Sequence, residues 1–275
     1  MFRRIILSLL ILTLPLGGAL FPVRSAERFA DDKDKATLNA EQVAESVIFI
    51  YSNRLGRGFL EQIRRNGIER GRLLRIGNDG RTEDATYERR FVRGENSAKD
   101  KIRLDQKLPS NEYSLVYGSG RTFGLVNGSS FTPRQEAAAD FLAQQWHGLD
   151  ALLRYKENGS TLNLASKETQ QGVELYVLDV TDKEKRRTRY YVSVKTLRVL
   201  RLDYEEPAAS GSTPVKFMRK FYDYRLAQGT LVPYRTVLFE DGKQTQETRV
   251  LTVTYGVKMD DTLFQSPDAQ AASAS

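Results

Sequence analysis

Between Ile68 and Phe131 apolar and polar residues alternate with a period of two, the spacing at which an extended chain sends successive side chains to opposite faces. The pattern predicts strands at Glu69–Ile76, Ala85–Arg93, Lys101–Lys107, Glu112–Tyr117 and Thr122–Val126. Turn-forming clusters separate them at Gly77-Asn78-Asp79-Gly80, Pro109-Ser110-Asn111, Gly118-Ser119-Gly120 and Asn127-Gly128. Connections this short pair sequence neighbours antiparallel, as a meander. The alternation returns at Thr161–Ala165, Val173–Val180, Thr188–Val194, Arg198–Glu205 and Val215–Tyr224, then in a closing pair around Asp241-Gly242, a strong hairpin signal. Along the last run, Leu251, Val253 and Tyr255 share one face, predicted to point into a concavity. Thr252 and Thr254 share the other, predicted to meet water.

Two stretches have helical spacing instead. Asn39 and Gln42 form a capping-box pattern ahead of Val43, Val47, Ile50 and Tyr51. Gly56 and Gly58 interrupt that helix, and Phe59, Leu60 and Ile63 predict a further short piece. Thr132-Pro133-Arg134-Gln135 is predicted to open a second helix with Thr132 as its N-cap and Pro133 at its first position. Its apolar stripe is Phe141, Leu142, Trp146, Leu149, Leu152 and Leu153, ending at Asn158-Gly159. Too few helices remain to cover so many strands on both faces. The predicted fold is α+β: a large curved antiparallel sheet, an open half-barrel of roughly 11–12 strands, with the helices covering its concave face.

Of the 275 residues 40% are hydrophobic, enough for one sizeable core. Arg3 and Arg4, the apolar run Ile5 to Leu16 and the small residues after it read as a signal peptide, residues 1–25, cleaved after Ser25 or after Ala19. Export to the periplasm follows. A polar, aperiodic lead-in (26–37), a single domain (38–265) and a disordered small-residue tail (266–275) complete the predicted organisation, with a flexible loop at Glu206–Pro214. The formal charge of +7 includes Arg3, Arg4 and Arg24, so cleavage after Ser25 leaves 7 − 3 = +4, which argues against nucleic acid as a partner. There are no cysteines, which excludes disulfides, thiolate metal sites and cysteine nucleophiles.

Candidate chemistry is sparse. His147 is the sole histidine, lacks a second ligand at metal spacing, and is predicted to sit at the solvent-facing edge of the second helix. No serine lies in a Gly-x-Ser-x-Gly elbow, and the glycine clusters lie between strands, not ahead of a helix. No catalytic residue, metal ligand or cofactor site is predicted. The basic run Lys183 to Arg189 reads as a solvated hairpin tip, with contact to anionic lipid head groups as its other reading. Thirteen Tyr, thirteen Phe and one Trp, many alternating with polar residues, are enough to line an apolar pocket. Its predicted lining is Phe141, Trp146, Leu149, Leu153, Leu251, Val253 and Tyr255. The same pattern fits a filled core.

The order of elements resembles the periplasmic lipoprotein-carrier and outer-membrane lipoprotein-sorting superfamily (LolA/LolB type). Local signs are Leu55-Gly56-Arg57-Gly58-Phe59-Leu60-Glu61-Gln62-Ile63, then Gly67 and Gly71 leading into the first strand. Asp223-Tyr224, Leu231-Val232-Pro233-Tyr234-Arg235 and Asp261-Thr262-Leu263-Phe264 follow. The turn Val194-Lys195-Thr196-Leu197 departs from the family pattern in lacking Gly or Asn. The resemblance implies a non-enzymatic carrier for a lipid, acyl chain or lipoprotein, with transient contact to a membrane or a membrane-anchored partner. An envelope sensor that uses the same fold as a docking platform is the alternative, and a hydrolase using His147 is the third reading.

Overall fold

A computed structural model describes residues 38–77, 79–109, 111–207 and 213–267. The predicted signal peptide and lead-in, residues 208–212 of the predicted loop, and the tail from residue 268 lie outside the described residues.

The capping box forms as predicted. The Asn39 side chain accepts from the Gln42 amide, and the Gln42 side chain accepts from the Asn39 amide, both at 2.9 Å. This opens α1 (Ala40–Tyr51), whose Val43, Ala44, Val47, Ile48 and Tyr51 are almost fully enclosed. Burial of each large apolar side chain contributes about 1.5–3 kcal/mol. Gly56, at φ 84°, turns the chain into α2 (Arg57–Ile63).

Thirteen strands then form one antiparallel sheet. The first meander is β1 (Asn66–Ile76), β2 (Thr82–Val92), β3 (Lys101–Lys107), β4 (Glu112–Gly118), β5 (Arg121–Val126) and β6 (Ser129–Phe131). Helices α3 (Gln135–Trp146) and α4 (Leu149–Leu153) follow. The second meander is β7 (Thr161–Gln170), β8 (Val173–Thr181), β9 (Arg187–Ser193), β10 (Val199–Glu206), β11 (Val215–Ala227), β12 (Thr230–Glu240) and β13 (Lys243–Tyr255). Pairing of β1 with β13 joins the two, in the order β6-β5-β4-β3-β2-β1-β13-β12-β11-β10-β9-β8-β7. The sheet is curved and open, with β6 and β7 as its edges. The strand the sequence analysis did not anticipate is β6, whose three residues are too few to show a period.

The second predicted helix differs in two ways. It begins at Gln135 with Arg134 as N-cap and no side-chain cap bond, so Thr132 does not cap it. It also ends at Trp146. Gly148 adopts extended backbone (ψ −179°) and starts α4, while its carbonyl accepts from the Tyr190 hydroxyl at 2.8 Å. The apolar stripe is thereby divided between two core clusters. One packs α1, α4 and Ala143 of α3 on β8–β10; the other packs Phe141, Leu142 and Trp146 on β1–β4.

Candidate functional site

The underside of α3 does not fill the concavity. Between it and the sheet lies an inner cavity of about 170 Å³, lined by Phe141 and Leu149 from the helices. Ile102, Leu104, Phe221, Val232 and Val250 line it from the strands. A wider cleft of about 630 Å³ adjoins it, with Ile76, Tyr204, Phe217 and Leu238 among its apolar walls. Gln144, Arg219 and Gln246 line both spaces, so the two are neighbours. Clefts of this size hold small amphiphilic molecules.

Strand alternation sets most of this lining. Ala85, Tyr87 and Phe91 of β2 face the core, which puts Arg89 on the same face and into the inner cavity. Phe217 and Phe221 of β11 do the same for Arg219. On β13 the predicted alternation fails. A bulge opposite Arg70/Gly71 leaves Leu251 between Val250 and Thr252 without a partner across the pair. The extra residue shifts the faces. Gln246, Thr248 and Val250 line the cavity before it, and Val253 and Tyr255 pack inward after it. Leu251 itself is 59% exposed, not turned into the concavity.

Of the other predicted lining residues, Phe141 and Leu149 reach the inner cavity. Trp146 packs edge-on against Tyr117 at 5.9 Å, with the Arg186 guanidinium 4.4 Å over its ring. Leu153 lies in the separate cluster under α1. Tyr255 meets Phe91 edge-on at 6.4 Å, with the Arg64 guanidinium 5.7 Å from its ring centre. Two of the five basic residues of the hairpin tip are ion-paired: Arg186 binds Asp182 at 2.6 Å and Arg189 binds Asp179 at 2.7 Å.

His147 corrects the sequence reading. It is 1% exposed, not solvent-facing. Its Nδ1 lies 2.6 Å from Thr188 Oγ1 and its Nε2 3.0 Å from Glu206 Oε1. The ring stacks on Tyr204 at 4.1 Å, and Tyr204 stacks in turn on Phe217. The break after Trp146 is what carries His147 off the helix edge and into the core.

Charged residues at the cavity's inner end were not anticipated as a site. Asp150 of α4 meets Arg93 at 2.6 Å and Arg64 at 3.4 Å. Burial alone would raise the Asp150 carboxyl, but Arg93, Arg64, Arg89 and Arg154 together hold it well below the usual carboxylate range. Glu69 accepts from the Tyr87 hydroxyl at 2.9 Å. One signal was present in the sequence: Tyr87-x-Arg89-x-Phe91 and Phe217-x-Arg219-x-Phe221 each place an arginine on an otherwise aromatic strand face.

No family model and no curated protein matches this sequence. Solved structures do. A DUF1329 family protein from Desulfovibrio piger superposes with TM-score 0.58 at 13% identity, over 84% of this chain and 99% of that one. A LolA superfamily protein from Nitrosomonas europaea gives TM-score 0.56 at 11% identity, over 83% and 98%. The fold is LolA-like. An outer membrane lipoprotein-sorting protein domain from Vibrio parahaemolyticus covers 81% of this chain and 97% of its own at 11% identity, with TM-score 0.47. In this chain the LolA-like sheet presents the cavity and α3 partly roofs it. Among the described residues no helix is long and apolar enough to cross a membrane.

Proposed function

We propose that this protein is an exported, periplasmic, non-enzymatic carrier that holds a lipid, an acyl chain or the acyl part of a lipoprotein between α3 and the concave face. The observation that carries this reading is the pair of adjoining spaces beneath α3, with Phe141 and Leu149 in the wall of one and Phe217 and Leu238 in the wall of the other. Each methylene buried there contributes about 0.8 kcal/mol, so one chain supplies useful affinity without covalent chemistry. α3 acts as the lid: it has no side-chain cap at its start, and Gly148 separates it from α4. Delivery takes place through transient contact with a membrane or a membrane-anchored partner. Native mass spectrometry of the protein isolated from an envelope fraction, followed by solvent extraction, should recover bound lipid. Trp146, the sole tryptophan, lies in the last turn of α3, and its emission should shift when acyl ligands displace the helix. A lipid-free protein whose emission ignores every chain length overturns the proposal.

A further inference from the structure

The inner cavity combines apolar walls with a surplus of positive charge. Arg64, Arg89 and Arg219 line it, against Glu69 and Asp150. Both acids are already engaged, Glu69 by Tyr87 and Asp150 by Arg93, which stands just behind. Asp150 also lies 3.4 Å from Arg64, so the three cations still outnumber the two acids. The Arg64 side chain is 12% exposed, yet its buried Nε and Nη1 have no hydrogen-bond partner among the described residues. Among the described residues Arg89 donates to the neutral Gln145 side-chain carbonyl, at 3.3 Å, and stacks on Phe91. Arg219 has no ion-pair partner among the described residues and stands between Phe217 and Phe221 on the core face of β11. Of the three, Arg89 and Arg219 have no carboxylate partner among the described residues, and a planar anion that accepts the forked donors of a guanidinium would supply one.

We infer that the inner cavity seats the anionic head group of a single-chain amphiphile, a carboxylate or a phosphate monoester, against Arg64, Arg89 and Arg219. Its chain runs outward beneath α3 along Tyr204, Phe217 and Leu238. This inference rests on the carrier reading and adds the chemistry of the head group and the direction in which the cargo enters. Arg219, at the junction of the two spaces, meets the head group as it passes inward, and Arg64 and Arg89 hold it at the end.

Calorimetric titration of the full chain, delipidated on a hydrophobic resin, with decanoate, decyl phosphate, decanol and decyltrimethylammonium tests this at constant chain length. Both anions should bind at least tenfold more tightly than decanol, and the cation more weakly than decanol. A preference for decyl phosphate over decanoate assigns the site to phosphate heads, and the reverse order to fatty carboxylates. Arg219→Gln and Arg89→Gln should each reduce the ratio of anion to decanol affinity at least fivefold, with thermal melts confirming that both variants fold. Decanol binding as tightly as the anions overturns the head-group site and leaves the carrier reading standing. Retention of the full preference by both folded variants overturns it as well. If none of the four ligands binds, the carrier reading falls and the head-group site falls with it.

Discussion

His147 shows how far one residue's role depends on its surroundings. A lone histidine beside an apolar helical stripe reads as a rim residue, but here it is a space-filling core group with both ring nitrogens engaged. Its partners come from β9 (Thr188) and from the end of β10 (Glu206), and its stacking partner Tyr204 also comes from β10. His147→Ala removes the stack and leaves the buried Thr188 hydroxyl and the part-exposed Glu206 carboxylate without this partner. It should cost about 2–4 kcal/mol in denaturant unfolding. A loss below 0.5 kcal/mol, the range of ordinary surface changes, would contradict the buried placement. Leu197 illustrates the opposite case. The turn without the family's Gly or Asn still adopts the left-handed backbone such residues favour (φ 55°), and Leu197 packs against the core under α1. Side-chain burial offsets a backbone cost of about 1–2 kcal/mol.

Among the elements, α4 has only five residues and is too short to hold itself. Tertiary contacts fix it: Leu152 and Leu153 enter the core, and Asp150 binds Arg64, just past α2, and Arg93, just past β2. Asp150→Asn leaves both guanidinium groups without their carboxylate and should destabilise the protein by about 3–5 kcal/mol at neutral pH. Because the folded carboxyl is held low, its contribution is fully present above the unfolded value near pH 4 and is lost as pH falls toward the folded one. Chemical denaturation of both proteins should therefore show a constant gap from pH 7 to about pH 5, narrowing by about 1 kcal/mol at pH 3. A gap that widens on acidification would refute this account. Little of it was legible beforehand, because an ion pair between α4 and two distant strand and helix ends has no local spacing.

For the whole molecule, the decisive contact is β1 with β13, which sets Gly67 opposite Tyr255 and closes two meanders into one sheet. Strands this far apart in sequence pair only after much loop entropy has been lost, so folding is expected to be slow. Ending the chain after Gly242 removes β13 and exposes β1 and β12 as long unpaired edges inside the sheet. Such a chain should aggregate, because unpaired edges recruit other strands. Gel filtration and circular dichroism check this outcome, and a monomeric product that melts cooperatively near the full-length temperature would count against it. The same pairing holds the bulge opposite Arg70/Gly71, which falls beside the cavity.

By itself the sequence determined what depends on near neighbours. Period-two runs and turn clusters specify twelve of the thirteen strands and their meander order. The Asn39/Gln42 box specifies the start of α1, and Asp241-Gly242, both at positive φ, the last hairpin. Tertiary structure decided what depends on distant partners. The bulge at Leu251 is a shift in the register of β13 on β1 between Arg70 and Gly71, and neither strand alone records it. The division of the α3–α4 stripe satisfies two core clusters at once, and it carries His147 inward. The cavity is decided last. A strand face reading Phe-x-Arg-x-Phe looks the same whether helix α3 lies tightly on it or stands off it, and only the packing of α3 over Arg219 leaves the space between them.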